Sequence, residues 1–363
     1  MDSNSSRPVM VRFILFLLKT AGPLALIVGG LILGLELLAR QESVAGKLPV
    51  PSVGTGHREL DYKLVMIDRM VSREGAPDCL FLGSSAMYRA VDPEVFNEAF
   101  RKDLGRPIRS FNFGLKGLVL EGSSPMARVL VEDYHPRLLV AGVSPAALGL
   151  EAGTRSSRLI QDNPWVQYRL GRFNLDGWLT DHFRSYRYYL GYLYGRQEKI
   201  RFTEERVQKY MKGVTRYGYG LRDADIQRRD PNSSLWTFRP LGSVSWSLQD
   251  YRIREDNIRA LEGLLELKRQ VQIVLLEMPV HPGTLSYFQN GQQDYDRGMR
   301  VISGLAEKAG VPLWRTMPFD QVDDSGWLNA NHMNLKGSRI FSRWLGDRTA
   351  AAVRNREIPD PAR

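Results

Sequence analysis

Cys79-Leu80-Phe81-Leu82-Gly83-Ser84-Ser85 sets four apolar residues against a glycine and two hydroxyls. An unbroken apolar run of this length, closed by Gly-Ser, reads as a strand buried on both faces with a turn at its carboxyl end. Such strands belong to parallel sheets covered by helices. Working outward, similar runs recur at 108–113, 138–143, 271–278 and 311–314, and Ile273 to Leu276 is the strongest apolar core. Helical patterns lie between and after them, at 93–104, 123–134, 254–269, 295–309 and 335–345. Pro93 opens the first of these, where its missing N–H costs nothing. The alternation predicts an α/β domain over 76–353, a three-layer sandwich with a mostly parallel sheet. Ligands of open sheets bind at the carboxyl ends of strands. Ser85, Gly114 and Ser144 each follow such an end.

Residues 1–40 read as an N-terminal membrane anchor. From Val9 to Ala39 only Arg12, Lys19 and Glu36 are charged. A helix needs about 20 apolar residues to cross a bilayer core, and starting at Phe13 supplies them, with Lys19 able to snorkel. A cleaved signal would have a shorter apolar region and a small-residue cleavage site. Leu35-Glu36-Leu37-Leu38-Ala39-Arg40 fits that poorly. Basic residues are nearly balanced across the span. The short basic stub places the N-terminus in the cytoplasm, so the expected topology is single-pass in the cytoplasmic membrane with the large domain on the extracytoplasmic, periplasmic side. Residues 41–75, with Pro49 and Pro51, read as a juxtamembrane linker containing a helix at 60–71, and 354–363 as a disordered tail.

The net charge is +10, and most of it sits in one place: residues 155–229 hold 16 Lys and Arg against 8 Asp and Glu. Nine of the 15 tyrosines fall there too. This segment, within 150–250, breaks the strand–helix rhythm and reads as a helical insertion. Tyr188, Tyr189, Tyr192 and Tyr194 either pack it onto the core beneath a solvated basic face, or help form a surface for an anionic glycan or lipid headgroups. No nucleic-acid recognition motif appears, so nucleic acid is not an expected partner. No metal-ligand spacing or cofactor motif appears, and none is expected. Cys79, the one cysteine, cannot form an internal disulfide and reads as a small core hydrophobe.

Far downstream the chain reads Asn329-Ala330-Asn331-His332-Met333-Asn334-Leu335-Lys336-Gly337. A serine at a strand-to-helix turn becomes a nucleophile when an imidazole can take its proton, and His332 lies on the approach to the last helix. Its bland alternative is a helix-entry histidine whose ring meets a backbone carbonyl, beside an Asn334 cap. His281, in Pro279-Val280-His281-Pro282, is a weaker candidate for substrate contact, and His135 simply precedes Pro136.

In chain order, Gly83-Ser84-Ser85, Asn112-Phe113-Gly114, Gly142-Val143-Ser144-Pro145 and the Asn-His-Met-Asn-x-x-Gly ending resemble the SGNH hydrolase superfamily. The likeness is to its membrane-anchored branch, which includes alginate and peptidoglycan O-acetyltransferases and the protein of teichoic-acid D-alanylation. It covers 77–150 and 255–350. The resemblance implies Ser85 as nucleophile, His332 as base and Asn329 as the residue orienting the imidazole. Ser84 stands where the family has aspartate and is the alternative nucleophile. Gly114, with Asn112, Ser84 and Ser144, forms the implied oxyanion and substrate-binding set. Two positions depart from the pattern: Ser144-Pro145 replaces Asn-Asp, and Asn329 replaces the usual aspartate, for which Asp323 or Asp324 are possible substitutes.

The expectation is therefore a membrane-anchored serine acyltransferase or esterase that O-acetylates or deacetylates an exported polysaccharide, partnered by a multipass membrane O-acyltransferase. A catalytically degenerate accessory protein and a lipase-like esterase are the alternatives.

Overall fold

Five strands alternate their side chains between two separate cores, which is why their sequences are largely apolar. The computed structural model describes residues 7–45, 48, 50–149, 155–197, 214–220, 248 and 250–362. The strands are β1 (Cys79–Leu82), β2 (Ser110–Asn112), β3 (Leu138–Val143), β4 (Gln272–Glu277) and β5 (Leu313–Trp314). They form one parallel sheet in the order β2-β1-β3-β4-β5. Register pairs Leu82 with Ala141 and Val143 with Glu277. Side chains alternate faces along a strand. Leu80, Leu82, Leu139, Ala141, Ile273 and Leu275 thus join one core, and Cys79, Phe81, Leu138, Val140, Val274 and Leu276 the other.

The first core is closed by the helices Arg58–Glu74, Leu120–Tyr134, Glu255–Leu265 and Gln292–Ala309. The second is closed by Pro93–Leu104 and Leu335–Arg354. The result is a mixed α/β architecture with a buried five-stranded parallel sheet between helical layers. Asp92 caps the helix that Pro93 begins, accepting from the Glu94 N–H, and Gly105 ends it at φ 71°. That helix meets the last one closely at Gly346, where a Cβ would come within 2.7 Å of Phe96 O.

In chain order the labelled helices are α1 (Arg7–Arg40), α2 (Arg58–Glu74), α3 (Ser85–Ala90), α4 (Pro93–Leu104), α5 (Leu120–Tyr134), α6 (Arg155–Gln161), α7 (Pro164–Arg169), α8 (Leu175–His182), α9 (Arg184–Gln197), α10 (Glu255–Leu265), α11 (Gln292–Ala309) and α12 (Leu335–Arg354). Helix α1 is long and apolar enough to span a membrane, with a mean hydropathy of 2.0 over Ala21–Arg40. Leu24, Leu26, Ile27, Leu31 and Leu33 on it are exposed. At its far end Glu36 is buried and accepts from the backbone N–H groups of Arg184 and Ser185 and from the Ser185 hydroxyl.

Two expected boundaries are corrected. Of the segment expected as a juxtamembrane linker, residues 50–75 pack onto the domain. Val50, Ser52, Val53 and Thr55 are buried, and the helix runs over Arg58–Glu74 with its apolar face in the core. The tail expected to be disordered is packed: Ile358 is buried, Asp360 pairs with Arg106, and Glu357 pairs with Arg348. Polar composition concealed both, because one buried apolar side chain and a few ion pairs suffice to dock a short segment.

The insertion is helical over α6–α9, and the remainder of the expected 150–250 segment, apart from 214–220, 248 and 250, lies outside the described residues. In α6–α9 the packing reading fits best. Trp165 and Tyr188 are buried, Trp165 donates to Asp181, and Arg169 pairs with Asp133 and Asp181. Tyr189 and Tyr192 remain exposed. Residues 214–220 return to the sheet edge, where Tyr217 O accepts from Asn112 N at 2.9 Å and Gly220 N donates to Tyr88 O. An open edge strand is thereby covered.

Candidate active site

Strand β1 runs directly into the site. After Gly83, the Ser84 hydroxyl accepts from the Ala86 N–H at 3.3 Å and caps α3. Ser85 is thus the first residue of that helix, half-buried at the carboxyl end of β1. In a parallel sheet of order 2-1-3-4-5 the crevice opens where the chain reverses direction, between β1 and β3. Ser85 and Ser144 stand on its two sides, because each follows one of those strands.

His332 arrives from the other end of the chain on a small hairpin of β6 (Trp327–Asn329) and β7 (His332–Met333), in which Asn329 pairs with His332. Asn334 then caps α12 by accepting from the Gly337 N–H. A Cβ at Gly337 would lie 2.2 Å from Gly326 O, so only glycine lets α12 seat against the loop that carries the hairpin.

Across 247 positions of sequence, the Ser85 Oγ and the His332 Nε2 lie 2.8 Å apart. The His332 Nδ1 lies 3.0 Å from the Asn329 Oδ1. That oxygen also accepts from the Asn331 backbone N–H at 3.2 Å. A backbone N–H can only donate, so the amide oxygen, not the nitrogen, faces the ring. His332 then carries its proton on Nδ1, and Nε2 is the lone pair that accepts from Ser85. Asp323 pairs with Lys336, and Asp324 lies 3.0 Å from His281 Nε2, so neither serves His332. His281 Nδ1 accepts from Gly283 N, a loop-stabilising arrangement.

The implied oxyanion set is only partly assembled. The Gly114 N–H donates to the Asn112 Oδ1 at 2.8 Å, so it is engaged rather than presented to Ser85. Asn112 is not a substrate contact either. It is fully buried, and its Nδ2 donates to Met87 O and Val91 O at the far end of α3. Ser84 is committed as a cap. Left without a hydrogen-bond partner among the described residues are the Ser85 N–H and the Ser144 hydroxyl. The Asn331 Oδ1 is likewise buried and unpartnered.

Lys63 was missed in the sequence. It is fully buried, and its Nζ donates to Asn112 O at 2.8 Å and to Gly114 O, 4.5 Å from the Tyr88 ring centroid. Burial pushes its ammonium well below the ordinary lysine range, against the pull of Glu59. Burial likewise pushes the Glu59 carboxyl up, but Lys116 more than reverses this and leaves it below its usual value. The available signal was periodicity: Lys63 falls three residues after Leu60 and one before Leu64, on the apolar face of α2.

Beside the pair is a cavity of about 80 Å³. Ser84 and Ala86, which flank Ser85, line it, as do Asn331, next to His332, and Ser144. No family model matches this chain, and no curated protein is significantly similar to it.

Proposed function

We propose that this chain is a serine acyltransferase or esterase, of the SGNH hydrolase type, anchored by α1 with its α/β domain outside the cytoplasm. The observation that carries the reading is the Ser85–His332–Asn329 relay, with distances of 2.8 and 3.0 Å. In this mechanism the Ser85 oxygen attacks an acyl carbonyl while its proton passes to His332 Nε2. The carbonyl oxygen becomes an oxyanion, with the Ser85 N–H and the Ser144 hydroxyl as the available donors. His332 returns the proton to the leaving group, and the acyl group rests on Ser85. A second hydroxyl, from a glycan or from water, then gives its proton to Nε2 and takes the acyl group, and His332 passes that proton to the departing Ser85 oxygen. An exported polysaccharide is the proposed acceptor or substrate, and a multipass membrane O-acyltransferase the proposed supplier of acyl groups.

The engaged Gly114 N–H favours one competing reading, a non-catalytic accessory protein. Loss of a single oxyanion donor costs about 3 kcal/mol of transition-state stabilisation. A fluorophosphonate probe separates the two. Labelling of the wild-type protein that vanishes in both Ser85→Ala and His332→Ala supports catalysis. Equal labelling of all three shows that the reactive group is elsewhere. Because the two residues act as a unit, the double variant loses no more ester turnover than either single one.

A further inference from the structure

The cavity beside Ser85 is built from two unlike parts. Its apolar walls include Val119, Val143, Leu248, Val280 and Phe288. Three polar side chains among these walls are already satisfied by the protein. Ser123 donates to Val119 O at 3.1 Å, Thr284 to Ala330 O at 2.6 Å, and Tyr295 to Glu277 at 2.8 Å. The interior is therefore mostly apolar. A sugar, with a hydroxyl on most carbons, would lose most of its water there against an apolar lining. Unsatisfied polar groups occur where the lining adjoins the reacting pair, at the Ser144 hydroxyl and the Asn331 amide. A ligand matching this layout has one polar end and an apolar body.

We infer that the cavity is an acyl-chain chamber, which holds the hydrocarbon of the acyl group while its carbonyl meets Ser85 at the mouth. The inference rests on the serine acyl-transfer reading and adds its substrate class: an acyl group longer than acetyl. At about 80 Å³ the cavity is well above the about 10–15 Å³ needed to admit a single water. The methyl of an acetyl group would leave most of that space empty. The acceptor hydroxyl has to approach from another side, since the chamber has no place for it.

The chamber is tested with the full-length protein in detergent, in two arms. The first measures binding of acetate, hexanoate and octanoate to Ser85→Ala by calorimetry. Saturable octanoate binding, absent for acetate and lost when Ala147→Phe is added, is expected; equal affinities, or octanoate binding that survives Ala147→Phe, overturn the chamber. This arm needs no turnover, so it stands even if Ser85 proves unreactive.

The second arm compares kcat/KM for p-nitrophenyl esters from acetyl to dodecanoyl. A rise of about fourfold per added methylene is expected until the chamber is full. Ala147→Phe should lower the octanoyl-to-acetyl ratio at least tenfold. Val280→Ala, which enlarges the space at little risk to folding, should move the optimum to longer chains. A profile that falls from acetyl onward, unchanged by either variant, overturns the inference. Octanoyl-pantetheine and dioctanoylphosphatidylcholine, offered as donors, distinguish a carrier thioester from a membrane lipid as the source of the chain.

Discussion

Asn329 decides what His332 can do. In a serine triad the residue behind the imidazole selects the tautomer as well as supplying charge, and an amide turned the wrong way costs about 10⁴ in rate. Here the Asn331 backbone N–H holds the amide oxygen toward the ring. The missing aspartate thus removes charge but not orientation. Asn329→Asp should keep kcat at or above wild type, because a carboxylate stabilises the imidazolium formed in the transition state. The same charge favours the protonated ring in the resting enzyme, so the acid limb of the pH–rate profile should move upward. Asn329→Leu removes orientation and should lower kcat by about 10²-fold or more. Steady-state ester hydrolysis across pH 5–9 distinguishes these outcomes. If Asn329→Leu matches wild type at every pH, the orienting role is wrong. Much of this site was legible in the chain, because Ser85, Asn329 and His332 each sit in a recognisable local frame. The engaged state of Gly114 was not legible, since it depends on where the Asn112 side chain turns.

Helix α3 has only six residues and stands on a buried polar pedestal. Asn112 ties Met87 O within it and Val91 O at its cap to the end of β2, and Lys63 donates to Asn112 O and Gly114 O. Asn112→Ala removes the side-chain partner of Val91 O and of the Gly114 N–H, and leaves Met87 O with only the Val91 N–H. Each such loss costs about 1–3 kcal/mol, so destabilisation of about 3 kcal/mol or more is expected in denaturant titration. Ester turnover should fall with it, mainly in kcat, because Ser85 is the first residue of the loosened helix. Strands and helices were readable as elements because apolar runs and 3.6-residue periods encode burial directly. Their polar ties were not readable, because a buried Asn or Lys in sequence looks like a surface one.

Segment 50–57 belongs to the same level of organisation. Asp61 of α2 is fully buried and holds this segment by accepting from Ser52 Oγ at 2.6 Å and Val53 N at 2.9 Å. Burial pushes its carboxyl up to about 6, against the effect of those hydrogen bonds. The ordinary value is 3.8, so the folded state holds the proton more tightly than the unfolded one. Its contribution to stability is then greatest below about pH 4 and declines as pH rises through about 6, by about 3 kcal/mol in all. Asp61→Asn cannot ionise and lacks this decline. The Tm of wild type relative to Asp61→Asn should therefore fall between pH 4 and pH 7. A constant difference over that range would show that Asp61 is ionised in the folded protein throughout.

At the scale of the whole molecule, helix α1 and the α/β domain are joined by a carboxylate. Helix α1 carries its exposed apolar side chains as far as Leu38, yet Glu36 turns inward to meet the first turn of α9. Backbone N–H groups at a helix start lack intrahelical acceptors, and a carboxylate there satisfies them. The end of α1 is in this way fixed to the insertion. Hydrogen bonds to a charged group contribute about 1.5–3 kcal/mol. Glu36→Ala should raise amide exchange at Arg184 and Ser185 by about tenfold or more, while Ser85 labelling and membrane retention persist. Deleting residues 7–33, which keeps Glu36, should instead release the protein from carbonate-washed membranes with those two amides still protected. If the deletion alone exposes them, the joint depends on the length of α1 rather than on Glu36. If Glu36→Ala leaves both protected, the carboxylate is not what ties α1 to the domain.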